Sequence, residues 1–405
     1  MAHRTKVASL AASILRQMPD VGAWQVKFLL HLFVLWLSIR GRYNFTNLAR
    51  YGRHQESTYR QNFAHAFDWL GFNLHLVSRY LSPDRIIALD PSYVSKSGRH
   101  SAGVGYFWSG AAARAKWGQE LCGLAAVDLQ DKTALHLLAV QSMDFDLENP
   151  LDYYASILTL NAERLRQVSR YVVADAYFSN ARFLDPVLAA NFELITRLRH
   201  DQVLFYRYTG PRRAGPGAPN KYDGPVKPRQ LRPDHFTPCA QAEDGSWRAY
   251  EAVVYHKAWK RWIRLVVIHN LDPEGKITGH ALLASTDCQL DGGQLKLCYE
   301  SRFQQEFIYR DAKQELGLEQ GQAYSWEKID FHLNCSLTVG SLAKAAHHLQ
   351  PQQANDTPFS IADIKTRYFN ESFALRIIRG CGICPDSPLI RQLLPKIRDL
   401  GLRRA

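Results

Sequence analysis

The sequence predicts a mixed α/β fold with a helical amino-terminal segment and a β-rich insertion. Three observations lead there. Between residues 86 and 198, short apolar runs alternate with helix-like stretches. Residues 201–285 carry a Pro/Gly/Arg-rich segment followed by alternating, aromatic-rich runs. Residues 1–80, and the chain after 289, show no strand-like alternation. The 405 residues are 46% hydrophobic and 12% aromatic, which is ample for a substantial core. The expected segments are 1–84 (helical), 85–200 (first part of the sheet core), 201–285 (insertion), 286–345 (return to the core) and 346–405 (helical).

Within 1–80, "VKFLLHLFVLWLSI" (26–39) is too short for a bilayer span and contains Lys27 and His31, so a buried helix is expected. No signal peptide opens the chain, and a cytoplasmic protein is expected. The same segment holds ten Lys/Arg against three acids, more than half of the net +12 of the whole chain. Such an excess favours a polyanionic partner. "NFTNLARYGRHQESTYRQNFAHAFDWL" reads as helix, Gly-containing turn, helix. Thr46 is the expected cap, Arg53 lies in the turn, and Ser57, Arg60 and Gln61 are exposed on the second helix. Helix-turn-helix modules have this outline, and so do ordinary helical hairpins.

From residue 85 the strand candidates are "RIIALD", ending at Asp90, then "LCGLAAVDL" and "ALHLLAVQ" joined by the turn "QDKT". A helical stretch, 151–170, leads to "YVVADA", a strand ending at Asp175. "NARFLDPVLAANF" then reads as a helix and "ELITRLR" as a strand. In the insertion, "TGPRRAGPGAPNKYDGPVKPRQLRP" is a loop or ribbon carrying Arg212 and Arg213. "WRAYEAVVYHKAWKRWIRLVVIHN" and "GHALLAST" read as antiparallel strands. Rings and cations interleave there, Trp259 and Trp262 among them, as suits a nucleic-acid face or a plain amphipathic hairpin.

Seven scattered cysteines fit reduced thiols better than a disulfide framework. Cys381-Gly-Ile-Cys384 lacks a second ligand pair and reads as a helix-ending turn. His347 and His348 read as helix-surface residues.

The stretch "YESRFQQEFIYRDAK" (299–313) places Tyr299, Arg302, Glu306 and Lys313 on one helical face about 60° wide. A salt-bridged solvent face has the same spacing. If the strands ending at Asp90 and Asp175 are neighbours, a helix crossing the sheet brings Glu306 to both carboxylates. Three such groups repel and require cations, and oxygen-only ligands suit Mg²⁺ or Mn²⁺.

Asp, Asp and Glu in this order, with Tyr-x2-Arg-x3-Glu-x6-Lys, resemble the bacterial insertion-sequence DDE transposases. "ALDPSYVSKSG", "GYFWSG", "VVADAYFS" and "HALLAST" resemble the same family, over residues 85–345 and more loosely over 1–84. The resemblance implies an RNase H-like core in which Asp90, Asp175 and Glu306 hold two Mg²⁺ ions, with Mn²⁺ able to substitute. It implies that Tyr299, Arg302 and Lys313 grip phosphates of the terminal nucleotides. It implies an amino-terminal domain that reads terminal inverted repeats, with Arg53 and Arg60 on DNA, and Arg212 and Arg213 along the phosphate backbone. It further implies a homodimer in the synaptic complex, a nucleoid-associated location, and cut-and-paste transposition through hairpin ends. In better-known members a Trp of the last insertion strand stacks on a flipped base. This chain has His280 and Ala281 there, leaving Trp259, Trp262 or, more weakly, His280 for the role. A nuclease on the same core, or a decayed DNA-binding copy, are the competing readings.

Overall fold

The computed structural model describes residues 2–142, 149–211, 220–348 and 358–402. Five helices open the chain: α1 (Ala2–Leu15), α2 (Ala23–Ser38), α3 (Phe45–Tyr51), α4 (Glu56–Asn62) and α5 (Trp69–Tyr80). Helix α2 is the expected apolar helix. It buries Phe28, Leu29, Leu32, Phe33 and Trp36, among others, because neighbours cover it on several sides. Among the described residues, no helix is long and apolar enough to cross a membrane.

The helix–turn–helix outline at 45–62 is shorter than expected. Asn44, not Thr46, caps α3 by accepting the Asn47 N–H at 2.8 Å. The Thr46 hydroxyl instead donates to Glu56. The second helix does not run on to residue 70. It stops at Asn62, and a fresh cap at Asp68, accepting from Gly71, starts α5. Ser57, Arg60 and Gln61 are exposed as expected, with Arg60 paired to Glu56 at 2.5 Å.

The core then follows as β1 (Arg85–Ser95), β2 (Gly105–Ser109), β3 (Arg114–Asp128), β4 (Thr133–Gln141), α6 (Pro150–Leu160), α7 (Ala162–Leu165), β5 (Tyr171–Ala174), α8 (Ala181–Ala189) and β6 (Glu193–Leu198). The β-rich segment contributes β7 (Leu204–Arg207), β8 (Tyr222–Pro225), β9 (Thr237–Gln241), β10 (Trp247–His256), β11 (Arg261–Leu271) and β12 (Ile277–Ser285). Helices α9 (Gly292–Ser301), α10 (Gln304–Glu315), α11 (Trp326–His348), α12 (Ile361–Gly380) and α13 (Pro388–Arg398) complete the chain.

All twelve strands join one mixed sheet, in the order β2-β3-β1-β5-β6-β12-β11-β10-β7-β8, with β4 on β3 and β9 on β10. Strand β3 is antiparallel to β1 and β4, while β1, β5 and β6 run parallel. The β-rich segment does not stand apart, because β12 pairs with β6 and extends the core sheet. Strand β1 also does not end at Asp90. It continues on β3 to Ser95, past the point where β5 stops pairing with it, and Pro91 is tolerated along that open edge.

Successive side chains alternate between the faces of the sheet. Ile87, Leu89, Val172 and Ala174 face one layer, shared with helices α1, α2, α5, α11 and α12. Ile86, Ala88, Val173 and Ile195 face the other, where Leu295 and Cys298 of α9 pack. The amino-terminal helices share the first core layer, and Trp36 donates its indole N–H to Leu316 O across 2.9 Å. His347 is buried in this packing, not on the helix surface, because α11 carries core residues along its whole length.

Among the described residues β4 pairs with β3 alone, and α11 covers its open side. Asn334, fully buried, donates to Ala139 O at 2.8 Å and accepts the Ala139 N–H at 2.9 Å. We expect Asn334→Leu to strand this main-chain amide and cost roughly 2–4 kcal/mol, read as a lower urea midpoint at unchanged slope.

Candidate active site

The parallel register of β1 and β5 pairs Ile87 with Val172 and Ala88 with Val173. Asp90 lies two residues beyond Ala88, and Asp175 two beyond Val173. By alternation both carboxylates emerge on the α9 side, at neighbouring positions. Asp175 leaves its strand into a short turn that it caps itself, accepting the Tyr177 N–H at 2.9 Å. The Thr196 hydroxyl fixes that corner by donating to Asp175 O at 2.7 Å.

The stretch 299–313 is not one straight helix. Residues 302, 303, 305 and 306 each donate to the carbonyl three residues back, a tightened step between α9 and α10. Three-residue spacing eclipses side chains, so Arg302 is brought over Tyr299 and toward the sheet. The Arg302 guanidinium reaches Asp90 at 3.2 Å and Glu306 at 3.5 Å. It sits between the two acids, with 15% of its side chain exposed.

Helix α10 is held against β1 and β3 by two residues not expected as part of the site, Gln305 and Tyr309, together with Lys313. Gln305 donates to Gly123 O at 2.8 Å and to the Tyr309 hydroxyl at 3.0 Å. Tyr309 donates to Asp90 O at 2.6 Å. Gly123, the partner of Asp90 on β3, leaves room for that phenol, since an added Cβ would lie 2.1 Å from the hydroxyl. The buried stripe Gln305–Tyr309–Ala312–Leu316 was present as a helical period, one residue behind the polar face that drew attention. Lys313 donates to Tyr93 O at 2.7 Å, so it ties the helix to the strand that carries Asp90.

The electrostatics follow from this crowding. Burial pushes the Asp90 carboxyl up from 3.8 to about 7. Arg302 opposes the rise, and the negative charges of Asp175 and Glu306 add to it. Burial also raises the Tyr299 phenol, within the fields of Arg302, Arg197, Asp175 and Asp90. Arg197 is an exposed cation on β6, one residue beyond the Thr196–Ala174 pair, and no motif pointed to it.

The donors are all oxygen, as hard divalent cations require. The three carboxylates are not mutually within the reach of one ion. Among the described residues the only tight ligand-type group is Asp223, Asp234 and His235. There Arg232 already pairs with Asp223 at 2.9 Å and Asp234 at 2.7 Å. Cys381 and Cys384 are exposed at the end of α12, as expected of a helix-ending turn.

The remaining expected contacts are dispersed. Arg53 lines a cleft with Arg16, Lys27 and Arg379 among the helices. Arg212 and Arg213 lie outside the described residues. Trp259 cannot stack on a base: it is 4% exposed, and the β10–β11 turn folds it onto His256 at 4.2 Å between ring centres. Trp262 lies edge-on to Tyr255 under Arg207. The registers Arg264–Ser285 and Ser285–Ile195 put it at the start of β6, the opposite sheet end from Asp175. His280 is at the nearer end, its Nε2 3.2 Å from His200 Nδ1.

Two outcomes are expected. Gly123→Ala displaces Tyr309 and costs roughly 1–3 kcal/mol, read by denaturant unfolding. The folded state binds the Asp90 proton more tightly than the unfolded chain. That contribution to stability is therefore full at low pH and is lost as pH rises from about 4 to about 7. In EDTA, Asp90→Asn gains melting temperature over the parent at about pH 8 relative to about pH 5. A pH-independent difference between the two proteins contradicts the assignment.

No family model matches this chain, and no curated protein matches its sequence.

Proposed function

We propose that this chain is a DDE transposase: a Mg²⁺-dependent enzyme that binds the terminal inverted repeats of an insertion sequence, cuts the DNA and joins the freed ends to a target. The observation that carries the reading is that Asp90 and Asp175 follow adjacent parallel strands while Glu306, linked to Asp90 through Arg302, lies near enough for its charge to act on Asp90. The run β4-β3-β1-β5-β6, with β3 antiparallel and the last three parallel, supports an RNase H-like core. Net charge of +12 supports a polyanionic substrate.

Two Mg²⁺ ions bound by Asp90, Asp175 and Glu306 would activate the attacking oxygen and stabilise the leaving one in phosphodiester chemistry. The protein side supplies position and charge. Asp90 is held by the backbone of β1 and by Tyr309. Arg302 neutralises the acid pair and offers N–H donors to a phosphate entering beside it. Tyr299 lies within the fields of Asp175 and Arg197, and Arg197 is exposed on β6. Hydrolysis then gives a 3′-OH and a 5′-phosphate. In strand transfer that 3′-oxygen bonds to a target phosphorus while the target strand's own 3′-oxygen leaves. Each displacement is in line, so one site serves all of them. Action as a homodimer, each subunit cutting the end its partner reads, belongs to the same proposal.

The test is incubation with DNA carrying the element's own ends, in Mg²⁺ and in EDTA, resolved on a denaturing gel. We expect Mg²⁺-dependent nicks and joined products. Glu306→Ala should retain end binding and lose nicking at least about a hundredfold. Residual full-rate nicking refutes the site. Nicks without joining identify a nuclease on the same core.

A further inference from the structure

We infer that the β2–β3 ribbon is a stacking surface for unpaired DNA bases beside the acidic site. The inference rests on the proposed action on DNA and adds a contact surface to it. Strand β1 stops pairing at Ser95, opposite Gly118, while β2 and β3 continue as a two-stranded ribbon with Ser109 paired to Arg114. A lone ribbon has little core of its own, yet this one carries Tyr106 at 75% and Trp108 at 64% exposure. The pairs Tyr106–Trp117 and Trp108–Ala115 put the rings of Tyr106, Trp108 and Trp117 on one face. Tyr106 and Trp117 meet edge to face with ring centres 5.5 Å apart.

The surroundings select the occupant. Residues 91–119 contain Lys96, Arg99, Arg114 and Lys116 and no Asp or Glu. Tyr106 and Trp108 are the exposed large apolar groups of that stretch, and no Leu, Ile or Val of it is exposed. Exposed rings among cations of the same ribbon match a polyanion with π faces. A protein interface core would add aliphatic packing. The ribbon is also tied to the site. Tyr93 donates its hydroxyl to Trp117 O at 2.5 Å and accepts Lys313 on its own carbonyl. By register Trp117 lies on β3 six residues from Gly123, the partner of Asp90, a span of about 20 Å that several unpaired nucleotides cover. Paired bases are already stacked in a duplex, so the preference is for unpaired ones.

The test uses full-length protein in EDTA, so that no cutting is needed, with a short oligothymidine and a duplex of equal length as probes, read by fluorescence anisotropy. Trp108→Ala is expected to weaken oligothymidine binding about tenfold or more, and duplex binding by less than about twofold. Trp108→Phe keeps a ring and should restore most of the loss. Unchanged oligothymidine affinity, equal losses on both probes, or no rescue by Phe overturns the inference. So does a smaller sedimenting species for Trp108→Ala with oligothymidine binding intact, which marks a protein–protein surface. A chain that cuts no DNA but shows the expected pattern keeps the ribbon and loses the catalytic reading. Nicking with an inert ribbon does the reverse.

Discussion

Asp90 is a largely buried carboxyl just past the parallel pairing of β1 and β5, within the fields of Asp175 and Glu306, and the groups around it answer that constraint. Without a cation the cluster is relieved in two ways. Arg302 inserts between Asp90 and Glu306, and burial raises the Asp90 carboxyl to about 7, with the charges of Asp175 and Glu306 adding to the rise. Both devices are reversible. In the proposed function a divalent cation would take the place of the proton, and a phosphate would compete for the guanidinium.

Backbone geometry supplies the precision. Asp90 and Asp175 are placed by parallel pairing and alternation, which leave little freedom. Glu306 depends on a helix, so α10 is fastened at successive turns by Gln305, Tyr309 and Lys313. All three bonds end on main-chain carbonyls of β1 and β3. The helix thus reads the position of the strands directly, and the glycine opposite Asp90 is the space that allows it. The tightened step at 302–306 turns Arg302 inward at the junction of two helices that pack on different elements.

The carboxylates were legible because strands reveal themselves by short apolar runs and helices by spacing. Asp90, Asp175 and Glu306 sit where those signals end or repeat. Pairing with β3 past Asp90 was not legible, because residues 91–95 lack an apolar run and owe their strand to a partner far along the chain. Helix ends between 44 and 69 were not legible because Asn44 competes with Thr46 as the cap of α3, and Asp68 starts a new helix where a continuous one is expected. Trp259 reads as a surface ring beside Lys257, Lys260 and Arg261. Only the turn at Lys260, in the left-handed region at φ 53°, shows that its indole folds inward. Conversely, Tyr106 and Trp108 look like ordinary strand residues until the ribbon is seen to leave the sheet.

The account stands on cations binding between Asp90, Asp175 and Glu306, and Fe²⁺ used as a Mg²⁺ surrogate tests that directly. With ascorbate and peroxide, bound Fe²⁺ cuts the peptide chain locally, and the fragments can be mapped by mass spectrometry. Cuts confined to the neighbourhoods of Asp90, Asp175 and Glu306, suppressed by excess Mg²⁺, are the predicted result. Cuts near Asp223 and His235 instead, or cuts that Mg²⁺ does not suppress, would contradict it.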